Sequence, residues 1–436
     1  MSFHQKQTIN KKRFAYSVMS DEELEGLHFD VLEVPQSSKI LDTRSVDNFK
    51  TNVFSGPLKS KVLGALDKSI AEEKLEAANY WAFQLLFSGH INALFDKLIS
   101  ISAKQINIAN PRLSTFILKK TIEWEKLTSH KVYDKKMQIK LRNNQEMRHL
   151  IVEIVSLLTL SRKRKLEGVV RLKQNDFSVN YFKSKLEAKD TQHIDLILKE
   201  EDPNEVRIAS NEFLYQLMKK NITKTLYWLS WILEWEKIHV KKYKQFKVAP
   251  RYNDGIDKKC VTNVIWLIWE IVNYVKKSNF DIQLECHQEL NSLWDLYKRN
   301  FTLGSRSRKL IYLIWSIKFL STPKCDWKLK LVERPYLYFH SLANVNLMAK
   351  KIKPHEVNKG IYQNDKYKIL IQDNYIVSGN EKTSKDNARI RQEEKHRKDM
   401  EKAHISRIKE AKKKKVSMNS MNKMDTLREI DKYMNF

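Results

Sequence analysis

Glycine is the residue that most constrains this chain. Its nine glycines stand at positions 26, 56, 64, 89, 168, 255, 304, 360 and 379 of 436, and no two lie closer than eight residues. Tight hairpins and phosphate-cradling loops need glycine where the backbone takes positive φ or must approach a ligand closely. Neither a G-x-x-x-x-G-K-[ST] loop nor a G-x-G-x-x-G turn can be built from that set, so ATP hydrolysis by the usual routes is excluded. With eight prolines, the turn formers make up 17 of 436 residues, well below the roughly 12% of average chains. Long helices and few hairpins follow: a mainly α fold of two helical bundle or array domains, with minor β in the N-terminal region and near 367–379.

Lys68 to Pro111, KSIAEEKLEAANYWAFQLLFSGHINALFDKLISISAKQINIANP, carries the clearest local signal. From Ala71 to Phe87, Leu75, Ala78, Ala82 and Leu85 recur at three- and four-residue steps, which predicts one amphipathic helix. Gly89 can take the left-handed conformation that ends it. A second helix places Ile91, Leu94, Phe95, Leu98 and Ser102 on one face, with Asp96 and Lys97 opposite. Asn110-Pro111 reads as a helix start, Asn as cap and Pro at the first helical position.

KSI at 68–70, AA-YW at 77–81, LL-SG at 85–89 and the IS-IANP pattern ending at Pro111 resemble the helical C-terminal domain of RarA/MgsA-type ATPases, clamp-loader relatives of the AAA+ class. The resemblance covers roughly 68 to 170, with LLTLSRKRK (157–165) where that family has a helix closing on a small basic turn. It implies a helical module without its motor, an accessory role in DNA replication or repair, and self-association. Where the family has an acidic Ser-Glu-Asp turn, this chain has Ala103, Lys104 and Gln105. Similar motor-less, lysine- and asparagine-rich proteins occur among large nucleocytoplasmic DNA viruses, which implies a host cytoplasm (viral factory) or nuclear location.

Charge is the second signal. Eighty Lys and Arg against 52 Asp and Glu leave a formal +28, which favours a nucleic-acid phosphate backbone as partner. An AT-rich genome also raises Lys, Asn and Ile whatever the function. No apolar run reaches the ~18 residues of a membrane span, and the N-terminus lacks the apolar core of a secretory signal, so no membrane partner is expected. Cys260, Cys286 and Cys325 have no paired spacing, which predicts a reducing, intracellular setting.

Five regions are expected: a mixed segment 1–60 with a strand-like HFDVLEV at 28–34, a helical domain 61–201, a Trp-rich helical domain 205–355, a small β or loop segment 356–380, and a charged tail 381–436. Asp202-Pro203-Asn204 is the best interior boundary, because proline disfavours helix in the residue before it. Trp228, Trp231, Trp235, Trp266, Trp269 and Trp315 lie in runs that are apolar nearly all round, which predicts core packing rather than base stacking. ANYWAFQLL (78–86) and LYWLSWILE (226–234) are faintly alike, as two related helical units would be. The tail carries 14 basic and seven acidic residues from Glu381 to Lys415 and cannot bury a core.

Candidate phosphate contacts are clustered cations. Arg162, Lys163, Arg164 and Lys165 follow an apolar helix, where cations also complement its negative pole. Arg306, Arg308 and Lys309, in GSRSRK, open another helix and oppose its dipole, so a serine-rich phosphate cradle is a candidate. Lys412, Lys413, Lys414 and Lys415 end the tail and suit phosphate or a nuclear signal. Cys286 and His287 are adjacent and make a poor nucleophile–base pair. No zinc spacing is present, and no cofactor is expected. The expected function is a non-catalytic basic helical accessory that holds DNA nonspecifically. A HEAT-like scaffold for protein or RNA partners in transcription or translation, or a virion packaging component, are the alternatives.

Overall fold

The computed structural model describes residues 42–129, 134–243, 246–278, 283–322 and 325–353. The expected strand at 28–34, the segment at 367–379 and the tail with Lys412–Lys415 lie outside them. Within them the fold is mainly α, as the scarcity of glycine predicts, with no strand among the described residues. Contacts divide the described chain into two compact units: 42–168, 252–260 and 272–353 form one, and 169–251 with 261–271 the other.

The helices in chain order are α1 (Lys59–Ala71), α2 (Leu75–Phe87), α3 (Ile91–Ile101), α4 (Leu113–Thr128), α5 (Lys135–Asn143) and α6 (Gln145–Leu160). Next come α7 (Val179–Lys185), α8 (Gln192–Asp195), α9 (Arg207–Met218), α10 (Ile222–Tyr243) and α11 (Val264–Ser278). The last are α12 (Leu284–Lys298), α13 (Arg306–Ser321), α14 (Pro335–Ala343) and α15 (Val345–Ile352).

In the first unit α6 is the axis. Asn144 starts it, its side chain accepting from the Met147 N–H at 2.8 Å. Every residue from Leu150 to Leu160 is buried, and α1, α2, α3, α4, α14 and α15 all pack on it. A charge pair crosses this core. Lys120 of α4 lies 2.8 Å from Glu153 of α6, both side chains only 2% exposed, and Lys120 also reaches Glu123 at 3.0 Å. Burial pushes the Glu153 carboxyl up, against the pull of Lys120. The approach to α6 is held by Asp42, whose carboxylate meets Arg44, Arg142 and Lys353.

Two local readings change. The helix expected from Ala71 to Phe87 is broken: Ala71 ends α1, and Leu75 begins α2. Glu72, Glu73 and Lys74 between them are exposed, and Glu73 takes positive φ (57°), because three charged residues cannot enter the core that both helices line. α2 is then buried on all sides from Ala77 to Phe87 rather than on one face. Asn110 does not cap α4. Its side-chain amide donates to Ser161 Oγ at 3.1 Å and to the Leu331 carbonyl at 2.9 Å. The cap comes instead from α12, where Glu289 Oε2 accepts from the Thr115 N–H at 2.9 Å and from Ser114 Oγ. Gly89 does end a helix region with φ +79°, and a Cβ there would lie 2.6 Å from Val46 Cγ1, so close approach as well as handedness demands glycine.

The second unit is built on α9 and α10. Trp231 stacks on Trp235 at 4.7 Å and on Phe177 at 5.7 Å, while Phe182 meets Trp228 edge-on at 5.5 Å. The six tryptophans read as core are all buried. Asp202, expected at a domain boundary, lies inside this unit: it is buried and pairs with Arg251 at 2.6 Å. A proline marks a turn, and nothing local separates a turn within a unit from one between units.

The α9–α10 hairpin repeats α1–α2 in register, 147 residues later. Glu73 and Lys220 hold the turns at φ 57° and 58°. The Lys74 N–H bonds Ser69 O at 2.9 Å, and Asn221 N–H bonds Gln216 O at 3.0 Å. Tyr80–Trp81 pack edge-on at 4.9 Å, Tyr227–Trp228 at 5.2 Å. Val62, Leu66, Ser69 and Ile70 are buried, and so are Ala209, Phe213, Gln216 and Leu217 at the matching positions. The faint self-similarity of the sequence corresponds to two hairpins of matching geometry.

Truncating Glu153→Ala strands Lys120 in the core and is expected to cost about 3–5 kcal/mol in urea unfolding, whereas Lys120→Met with Glu153→Met costs much less. Asp42 gives a pH signature. Burial opposes its ionisation, but hydrogen bonds from Arg44 and Lys353 outweigh it and hold the carboxyl well below its ordinary range. Its stability contribution is therefore present above the unfolded-state pKa of about 4 and is lost as pH falls below it. The stability gap between the wild type and Asp42→Asn should narrow from pH 7 to pH 3.

Candidate nucleic-acid interface

Beyond Leu160 the chain leaves α6 in extended conformation. It runs beside a wide helical turn, Ser102–Ile106, that follows α3. Arg164 N–H donates to Gln105 O at 2.6 Å and Leu166 N–H to Lys104 O at 2.9 Å. Asn107, at φ 40° and ψ −122°, donates its amide to Arg164 O at 2.5 Å. Asparagine is among the few non-glycine residues that tolerate positive φ. With Leu166 buried, this pairing leaves Arg162, Arg164 and Lys165 exposed.

A third stretch, 325–334, joins them. The Asn110 amide ties Ser161 to Leu331 O, Arg112 donates to Trp327 O at 3.2 Å, and Arg162 reaches Glu333 at 3.0 Å. Arg334 pairs with Glu73 at 2.6 Å and donates to Leu160 O at 3.3 Å. One surface of the first unit thus gathers exposed cations from four separate stretches: Lys104, Arg112, the 162–165 run, and 328–334. Lys104, Arg112, Arg164, Lys165 and Lys328 form no ion pair with any described residue. Some exposed cations elsewhere do, as in Lys135–Asp47, Arg207–Asp195 and Lys224–Glu187.

The candidate cations do not share one fate. Lys163 turns back onto α6, donating to Thr159 O at 2.9 Å and Ser161 O at 2.5 Å, and burial pulls its pKa down to about 8. Lys309 is the counterpart at the other cluster. It donates to Leu296 O, Tyr297 O and Arg299 O at 2.9, 3.1 and 2.5 Å, closing the end of α12, and burial pulls it to about 8. These two lysines cap helices.

Arg306 begins α13, and Arg308 lies 3.4 Å from Asp96. Of the two serines expected to cradle phosphate, Ser305 satisfies its own turn, its Oγ donating to Thr302 O at 2.8 Å and its N–H to Thr302 Oγ1 at 3.2 Å, while Ser307 is exposed. Ten residues further along α13, about 15 Å of helix, Lys318 pairs with Glu167. The 306–308 and 162–165 clusters therefore sit toward opposite ends of α13 and do not form one site.

Sequence reasoning missed Arg112 and Lys328 and noted Lys104 only as a departure from an acidic turn. The alternation Trp327-Lys328-Leu329-Lys330-Leu331 was a signal of an extended basic edge, but nothing local places it against 162–165. The other chemistry is quiet. Burial pushes the Cys286 thiol up to about 12 and raises that of Cys325, which disfavours thiolates. Burial also raises the Glu289 carboxyl, against its hydrogen bonds from Ser114 and Thr115. No group of three metal-binding side chains occurs among the described residues, and no described helix is long and apolar enough to cross a membrane.

Lys309→Met orphans three carbonyls at the end of α12 and is expected to cost roughly 1–3 kcal/mol of stability. Duplex-DNA affinity measured by fluorescence anisotropy should stay within about twofold of wild type. Comparison of the chain with protein families, curated proteins and solved structures found no match.

Proposed function

We propose that the first unit holds nucleic acid passively through its phosphate backbone. One observation carries this reading: five exposed cations with no ion-pair partner among the described residues, from four stretches of chain, are assembled on one surface by specific hydrogen bonds. Like charges so gathered repel one another, and a polyanion relieves that repulsion while releasing its own counterions. No catalytic role is assigned. The two buried carboxylates pushed up by burial, Glu153 and Glu289, serve a core ion pair and a helix cap. The clamp-loader-like pattern at 68–170 extends the proposal to an accessory role at replicating or repaired DNA, and to self-association. In that frame Lys104, where the family has an acidic turn, adds positive charge to the patch.

A protein-scaffold role has a separate observation in its favour. Tyr336 (75% exposed), Leu337 (40%) and Leu347 (47%) leave apolar side chains on the surface of α14 and α15, as a partner-binding face would.

Salt dependence distinguishes the two. Between about 50 and 200 mM salt, the logarithm of the duplex-DNA binding constant should fall linearly with log salt, by about 0.9 per phosphate contact. The triple variant Arg164→Glu, Lys165→Glu, Lys328→Glu should lower that slope by roughly 2–3. A flat salt response in the wild type would defeat the proposal and leave the scaffold reading.

A further inference from the structure

Trp327 lies beside two cations of the patch, Arg112 and Lys328, and is unlike most tryptophans of the chain. Eight of the ten are buried, leaving only Trp294 and Trp327 partly exposed. Trp294 carries Lys298 over its ring at 5.8 Å. Among the described residues Trp327 has one aromatic neighbour, the buried Phe319, with ring centroids 6.0 Å apart and planes 9° from parallel. Its indole N–H makes no hydrogen bond among the described residues.

The backbone around Trp327 is fixed. Asp326 Oδ1 accepts the Lys328 N–H at 3.1 Å, and Arg112 holds the Trp327 carbonyl at 3.2 Å. Lys328 is the next residue, and Arg164 is close enough to lower the Cys325 thiol against its burial. The result is a partly exposed indole, backed by a buried ring and flanked by cations that pair with no carboxylate among the described residues.

We propose that Trp327 is a base-stacking platform and that the patch takes single-stranded nucleic acid in preference to duplex. This rests on the phosphate-binding reading above and adds a ligand class to it. The chemistry of the two parts is complementary. Cations follow a sugar–phosphate backbone whatever its strandedness, whereas an indole face is of use only to a base that is not already stacked in a duplex. Sequence preference should be weak, because every base offers a π face.

The test uses the full chain with an oligothymidylate of about twelve nucleotides and a duplex of the same length. Trp327→Leu keeps an apolar packing group and removes the indole. It should lower single-strand affinity roughly five- to a hundredfold while changing duplex affinity less than twofold, and Trp327→Phe should restore most of the loss. Photocrosslinking of wild-type protein to an iodouracil-substituted strand, read by peptide mass, should map to the 325–331 peptide and needs no variant to fold. If Trp327→Leu weakens neither ligand, or the crosslink maps elsewhere, the platform is overturned while phosphate binding stands. If the triple charge reversal also leaves both affinities unchanged, both readings fall.

Discussion

An α-helix leaves four N–H and four carbonyl groups unsatisfied at its ends, and closing those ends in a chain with few glycines organises the first unit. Three ends are closed by charged side chains. Glu289 of α12 caps the start of α4, Lys309 of α13 caps the end of α12, and Lys163 folds back on α6. Arg334 adds a bond to the last carbonyl of α6. Each closure places a charge where the helix dipole favours it, and those of Glu289 and Lys309 also link one helix to another. The same closures decide which cations remain for a ligand, because a lysine whose donors point at two or three carbonyls is drawn back onto its helix end and is less available outside.

The unit is centred on α6, and its burial on all sides sets the cost of the polar groups inside. Lys120 and Glu153 meet where solvent cannot screen them, so each depends on the other. The patch lies at the C-terminal end of this axis, where the chain passes from helix to extended backbone. The segments that contribute cations are the turn after α3, the start of α4, the extended run after α6 and the turn after α13.

Much of the fold was legible. Apolar periodicity placed the buried helices, Gly89 ended one, and the tryptophans of the apolar runs proved to be core. The kinship of 78–86 with 226–234 corresponds to two hairpins whose turns, bonds and aromatic pairs coincide. Three readings needed the tertiary structure. Asn110 carries every sequence mark of a helix cap yet bridges two other segments, because Glu289, 179 residues away in sequence, took the cap. Asp202 marks a turn inside a unit, since Arg251 gives its carboxylate a buried partner. Lys163 and Lys309 look like members of basic runs, and only the positions of carbonyls beside them show otherwise.

By itself the sequence determined the helical class, the absence of a glycine phosphate loop and the surplus of positive charge. These depend on residue type and local spacing, through backbone conformational freedom and solvation. Which cations come together was decided by tertiary structure alone. Lys104, Arg112, Arg164 and Lys328 meet because backbone groups far apart in the chain must find hydrogen-bond partners, and the side chains they carry are brought along.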